Sequence, residues 1–97
     1  MVFYLLSCGI AVISAAVNLK VKQIVGPVFV TLKGVSGGDD EELHNDLRNQ
    51  VVRALNKELK KSTDVKHLRK TAKDSLLSRL WETTNQRPMT IVNLIEV

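Results

Sequence analysis

The sequence predicts an α+β fold: a two-layer sandwich in which two helices cover one face of a three-stranded sheet, in the order β-β-α-α-β. Three observations lead there. Two β-branched apolar runs occupy residues 9–19 and 23–33, two apolar stripes of helical period follow between residues 43 and 81, and a third β-branched run closes the chain. With 97 residues the chain makes one small domain, expected to fold as a single unit over residues 1–97.

The elements follow in order. Residues 9–19, GIAVISAAVNL, read as a strand, and Asn18 and Lys22 bound a change of direction. Residues 23–33, QIVGPVFVTLK, read as a second strand paired to the first as an antiparallel hairpin. Pro27 has no N–H for a ladder, which places it on an edge, in a bulge or at a strand's start. GVSGGDD at residues 34–40 is a loop.

Leu43, Leu47, Val51, Leu55 and Leu59 then recur every four residues and predict a helix over 39–61. Asp39, Asp40, Glu41 and Glu42 stand at its positive end, and Lys57, Lys60 and Lys61 at its negative end. Ser62, Thr63 and Asp64 supply an N-cap for a second helix striped by Val65, Leu68, Ala72, Leu76 and Leu80, widened by Leu77 and Trp81. It ends near Thr84, because Pro88 disfavours the helical conformation at Arg87. PMTIVNLIEV is the third strand. A helix of ~21 residues and a strand of ~9 both span ~30 Å, so the two layers match in length.

Composition narrows the function classes. Net charge is +4 and pI about 9.5, basic enough to permit contact with nucleic acid without demanding it. A single cysteine, Cys8, allows no internal disulfide, in keeping with a reducing, cytoplasmic setting. It sits in an apolar run, where a thiol packs as a small hydrophobe. His44 and His67 stand far apart with no cysteine near either, so no metal ligand set is expected, and no catalytic or cofactor-binding residue is assigned.

Residues 2–19 contain no charge, and LLSC at residues 5–8 looks like a lipoprotein cleavage box. A secretory signal carries positive charge before its apolar region, whereas the first basic residue here is Lys20. A membrane span needs about 20 apolar residues, and Ser7, Gly9, Ser14 and Asn18 interrupt this run. A buried strand is the reading adopted, with no membrane contact.

The outer strands of the sequence are apolar on both faces. Ile10, Val12 and Ala16 share one face of the first strand; Ala11, Ile13, Ala15 and Val17 share the other. In the last strand Met89, Ile91 and Ile95 oppose Val92 and Leu94. Two helices shield one face only, so the other is an exposed apolar patch, and such patches mark interfaces. Periodicity does not say which parity faces outward. The candidate interface residues are therefore Ile10, Val12, Ile13, Val17, Ile91, Val92, Leu94 and Ile95, with a homodimer through the helix-free face as the expected use. The alternative is a cover formed by loops or by VFYLL at residues 2–6.

A basic run, Lys57, Lys60, Lys61, Lys66, Arg69, Lys70 and Lys73, flanks the helix–helix turn. Lys66, Arg69 and Lys70 oppose the dipole of the second helix. A phosphate backbone offsets that penalty, which makes Lys66, Arg69, Lys70 and Lys73 candidate RNA contacts; a solvated face is the alternative. GVSG at residues 34–37 matches the Gly-x-x-Gly loop of KH domains, but it lies between a strand and a helix rather than between two helices.

The C-terminal half, DVKHLRKTAKDSLLSRLWETTNQRPMTIVNLIEV, resembles the extreme C-terminus of ribonuclease J. Arg87-Pro88-Met89 and the closing Glu96-Val97 carry the resemblance, and GIAV, Gly26-Pro27 and KGV at residues 33–35 fit the start of the same domain more loosely. Gln86 replaces an arginine usual in the family, and Val92 and Asn93 replace a proline and an aliphatic residue. Those departures imply a diverged copy, such as the second ribonuclease J of Firmicutes. The resemblance implies a parent that is a zinc-dependent hydrolase of the metallo-β-lactamase and β-CASP type, a 5′-to-3′ exoribonuclease and endoribonuclease in RNA processing and decay. The parent's His-x-His-x-Asp-His zinc motif is not in this sequence. The resemblance thus implies a non-catalytic C-terminal assembly domain. Its partners would be itself or a ribonuclease J paralogue, the parent's catalytic domains, and RNA through the parent.

Overall fold

β1 (Ile10–Asn18) and β2 (Gln23–Lys33) form the expected antiparallel hairpin, followed by α1 (Glu41–Leu59), α2 (Val65–Thr84) and β3 (Met89–Glu96). These elements come from a computed structural model, which describes residues 9–35 and 37–97. The expectations for Cys8 and for residues 2–6 lie outside the described residues.

The sheet order is β2-β1-β3, and β3 runs parallel to β1. The chain path explains the direction. Short links make each successive element reverse, so the first, third and fifth elements point the same way. Returning through a helical layer, β3 finds the free edge of β1 and pairs from Ile10↔Met89 to Val17↔Glu96. This places β1, apolar on both parities, at the centre.

The turns follow from side chains that hold them. Between β1 and β2 the Asn18 carboxamide accepts from the Lys20 N–H at 3.0 Å, and Lys22 adopts a positive φ of 55°. Pro27 lies on an edge strand, inside the register shift that falls between Ser14↔Phe29 and Ala16↔Val25, where no ladder bond is lost. Gly9 enters β1 at φ 79°, and a Cβ there would overlap the Lys33 carbonyl oxygen. Its own carbonyl accepts from the Met89 N–H at 3.1 Å, so the strand ends converge on it.

Both helices begin at aspartate caps. Asp40 accepts from the Glu42 N–H at 2.9 Å and Asp64 from the Lys66 N–H at 3.1 Å. The Asp40 cap, in extended backbone, starts α1 two residues later than the acidic run suggests. Asn85, at φ 55°, ends α2 at the boundary that Pro88 predicts.

The core lies between the layers. Leu47, Val51, Leu55 and Leu59 of α1 and Leu68, Ala72, Leu76 and Leu80 of α2 are fully buried. They meet Ala11, Ile13, Ala15 and Val17 of β1, Val28 and Val30 of β2, and Leu94 of β3. Val65, in the first turn of α2, is only partly buried.

Candidate functional site

The helix-free face of the sheet assembles from alternate residues of all three strands. The register sets them in rows: Lys33, Ile10 and Met89; Thr31, Val12 and Ile91; Phe29, Ser14 and Asn93; Val25, Ala16 and Ile95. Phe29 is 60% exposed and Ile91 and Ile95 are each 49% exposed. Eight of the twelve positions are apolar, and Lys33, at one corner, carries the face's one charge among them. Ser14 and Asn93 form a narrow polar band across the middle.

The pleat decides which candidates belong here. Ile10, Val12, Ile91 and Ile95 lie on the open face. Ile13, Val17 and Leu94 do not: Ile13 and Val17 are completely buried and Leu94 is 5% exposed, all under the helices. Val92 likewise points inward and packs against the core. The physical reason is the two-residue alternation of a strand, which sends each parity to one face only. Phe29, Val25 and Met89 belong to the open face and are missing from the candidate set. Met89 shares the parity of Ile91 and Ile95 that the sequence already shows; the signal for Phe29 was the alternation of Val28 and Val30 against Phe29 and Thr31, and the irregularity at Gly26 and Pro27 hid Val25.

The basic cluster lies on the opposite, helical side. Lys66, Arg69, Lys70 and Lys73 follow one exposed stripe of α2, and Lys57, Lys60 and Lys61 are exposed at the end of α1 and in the turn. Residues 57–73 hold seven lysines and arginines against two acidic residues, in a chain of net charge +4. Of those two, Glu58 accepts from His67 at 2.6 Å and Asp64 caps α2. Among the described residues none of these seven cations forms an ion pair.

Elsewhere the polar side chains hold the helices in place. Arg79 of α2 grips Asp46 of α1 with Nε and Nη2, at 2.7 and 3.1 Å. Hydrogen bonding by Asp46, then its charge, raises the Arg79 pKa above its ordinary value. A cation raised in the folded state stabilises at every pH below its unfolded value, so the clamp persists across the neutral range. Ser75 Oγ donates to the Gln50 carbonyl at 3.2 Å. His44 ties the loop and α1 to β2: Nδ1 lies 3.2 Å from the Val30 carbonyl oxygen and Nε2 2.5 Å from that of Gly38. Arg87 stacks over Trp81, 4.6 Å from the ring centroid.

Both histidines thus face oxygen partners on different elements. Among the described residues no three His, Cys, Asp or Glu side chains are placed to share a cation. The donor set among the described residues does not fit the zinc that the resemblance implies for the parent ribonuclease J. No helix among the described residues is long and apolar enough to cross a membrane.

Fold and surfaces together define a small α+β domain with one helical layer, one apolar sheet face that the helices leave open, and a basic helix turn. Comparison with protein families matches residues 5–97 to the ribonuclease J C-terminal domain. The chain belongs to that family. No curated protein matches it.

Proposed function

We propose that this chain is the non-catalytic assembly domain of a ribonuclease J, an RNA processing and decay hydrolase of the cytoplasm, and that its helix-free sheet face is the contact with a second copy. The observation that carries the reading is the apolar surface of Ile10, Val12, Ile91, Ile95, Met89, Phe29, Val25 and Ala16, interrupted by Ser14 and Asn93. Water contact with such a surface is unfavourable by about 25 cal/mol per Å². A face with a single corner charge does not call for an oppositely charged partner. Instead it matches itself about a twofold axis, the usual symmetry of small closed oligomers. The catalytic domains, zinc and the exo- and endonucleolytic activities belong, on this reading, to other parts of the parent.

Sedimentation velocity over a concentration series tests the reading. The wild-type chain is expected to self-associate, and Val12→Lys to sediment at lower mass at equal concentration with an unchanged circular dichroism spectrum. Unchanged association in Val12→Lys and in Ile91→Lys would overturn it. The isolated chain is expected not to cleave RNA with zinc, manganese or magnesium. Reproducible cleavage lost on substituting His44 or His67 would refute the non-catalytic role.

A second reading rests on the basic cluster, which holds seven of the chain's 14 lysines and arginines against two of its 10 acidic residues. Phosphate contacts there would weaken with salt, and Lys66, Arg69, Lys70 and Lys73 would each contribute to the slope. The expected outcome is weak, salt-sensitive RNA binding. A tight complex that persists at high salt would place RNA binding ahead of assembly.

A further inference from the structure

The two edges of the sheet differ. The outer edge of β2 is broken by Pro27, bent where Gly26 takes φ 72°, and bounded by Lys22 and Lys33. These are the features that blunt an edge against further pairing. The outer edge of β3 has none of them. Its eight residues, MTIVNLIE, include no proline, glycine, lysine or arginine, and Glu96 at the end is the only charge.

The hydrogen-bond phase of that edge is fixed. The Met89 N–H donates to the Gly9 carbonyl at 3.1 Å and the Val97 N–H to the Val17 carbonyl at 2.9 Å. Odd-numbered residues of β3 therefore turn their backbone groups toward β1. By alternation, Thr90, Val92, Leu94 and Glu96 turn theirs outward, where no strand pairs with them among the described residues.

We infer that the outer edge of β3 takes β3 of a second copy, antiparallel, about a twofold axis at Asn93, making one continuous sheet across the pair. Directly opposed residues in an antiparallel pair share a face, so the register must pair odd with odd. Centred on Asn93, it sets Asn93 against its own copy, Ile91 against Ile95, and Val92 against Leu94. The two adjacent registers with matching faces, centred on Val92 and on Leu94, would set Asn93 against Ile91 or Ile95, and Thr90 against Leu94 or Val92 against Glu96. Like meets like only in the first. In that register the outward groups of Val92 and Leu94 also fall in a hydrogen-bonded pair, as their phase requires. The inference rests on the chain associating with itself, but through a different surface from the open face.

Amide hydrogen exchange read by NMR at low and high concentration tests it. At all concentrations Ile91, Asn93 and Ile95 are expected to exchange slowly. Val92 and Leu94 are expected to exchange fast in dilute solution and at least tenfold more slowly in the associated state. Fast exchange at Val92 and Leu94 in a sample that sedimentation shows to be associated overturns the edge contact and leaves the face contact standing. A second measurement uses Asn93→Cys in a Cys8→Ser background. The register places the two Cα atoms about 4.5 Å apart, within disulfide reach, whereas sheets packed face to face lie about 10 Å apart. Mild oxidation is expected to give a covalent dimer, and Thr31→Cys in the same background is expected to give none. Adding Val12→Lys separates the surfaces: cross-linking that survives it supports an edge that pairs by itself, and cross-linking lost with it overturns the inference. A wild-type chain monomeric at every concentration overturns both contacts.

Discussion

Val12 and Ile13 are neighbours on the same central strand, both β-branched and both uncharged. Ile13 lies fully buried beneath α1 and α2, while Val12 lies on the open face between Thr31 and Ile91. Composition does not distinguish them; the position of the helical layer does. The buried face is apolar because it makes the core. The open face is almost as apolar, and the two helices leave it open, so the core does not account for its composition. The contrast within one strand separates what the sequence spends on the core from what the helices leave open.

The contrast is sharpest under charge. Ile13→Lys buries an unpaired ammonium and is expected to abolish folding, since the effective penalty is several kcal/mol against the small net stability of a domain this size. Val12→Lys is expected to keep the native circular dichroism spectrum and lose association. Equal unfolding by both would erase the distinction between the faces.

Truncations give the next largest difference. Leu55→Ala or Leu76→Ala is expected to lower stability by about 2–5 kcal/mol in urea melts. Phe29→Ala, on the open face, is expected to change the stability of the dilute monomer by under about 1 kcal/mol while weakening self-association. Gly9→Ala, whose Cβ meets β2 backbone at a positive φ, is expected to destabilise by about 1–3 kcal/mol through the strand ends shared by both faces. Smallest are the helix caps: Asp40→Ala and Asp64→Ala are each expected to remove about 1 kcal/mol without altering the sedimentation profile.

Much of this was legible in the residues. The four-residue stripes of leucine gave both helices, and Asp64 and Pro88 gave the bounds of the second. The two-sided apolar character of β1 and β3 pointed to a sheet face that two helices leave open. Parity was not legible, because Val12 and Ile13 offer the same chemistry and only the side on which the helices settle tells them apart. Phe29 and Val25 escaped notice because the bulge at Gly26 and Pro27 breaks the alternation of β2 that would have revealed them. The basic stripe of Lys66, Arg69, Lys70 and Lys73 was legible and is solvent-exposed as read. Strand order was hidden too: the parallel return of β3 follows from reversals at four links, which no local pattern states.

The parallel pairing of β1 with β3 also has a kinetic meaning. The hairpin of β1 and β2 closes across a short turn and can form early, whereas Ile10 must wait for Met89, with both helices lying between them in the chain. Such long-range closure is slow, because its entropy is lost before its contacts are gained. Until then the central strand is itself an edge, with Gly9 as its entry point and apolar residues on both sides. During that interval the nascent molecule is open to strand capture by its neighbours. The order of arrival of β3, rather than the stability of the finished sheet, sets how long that hazard lasts.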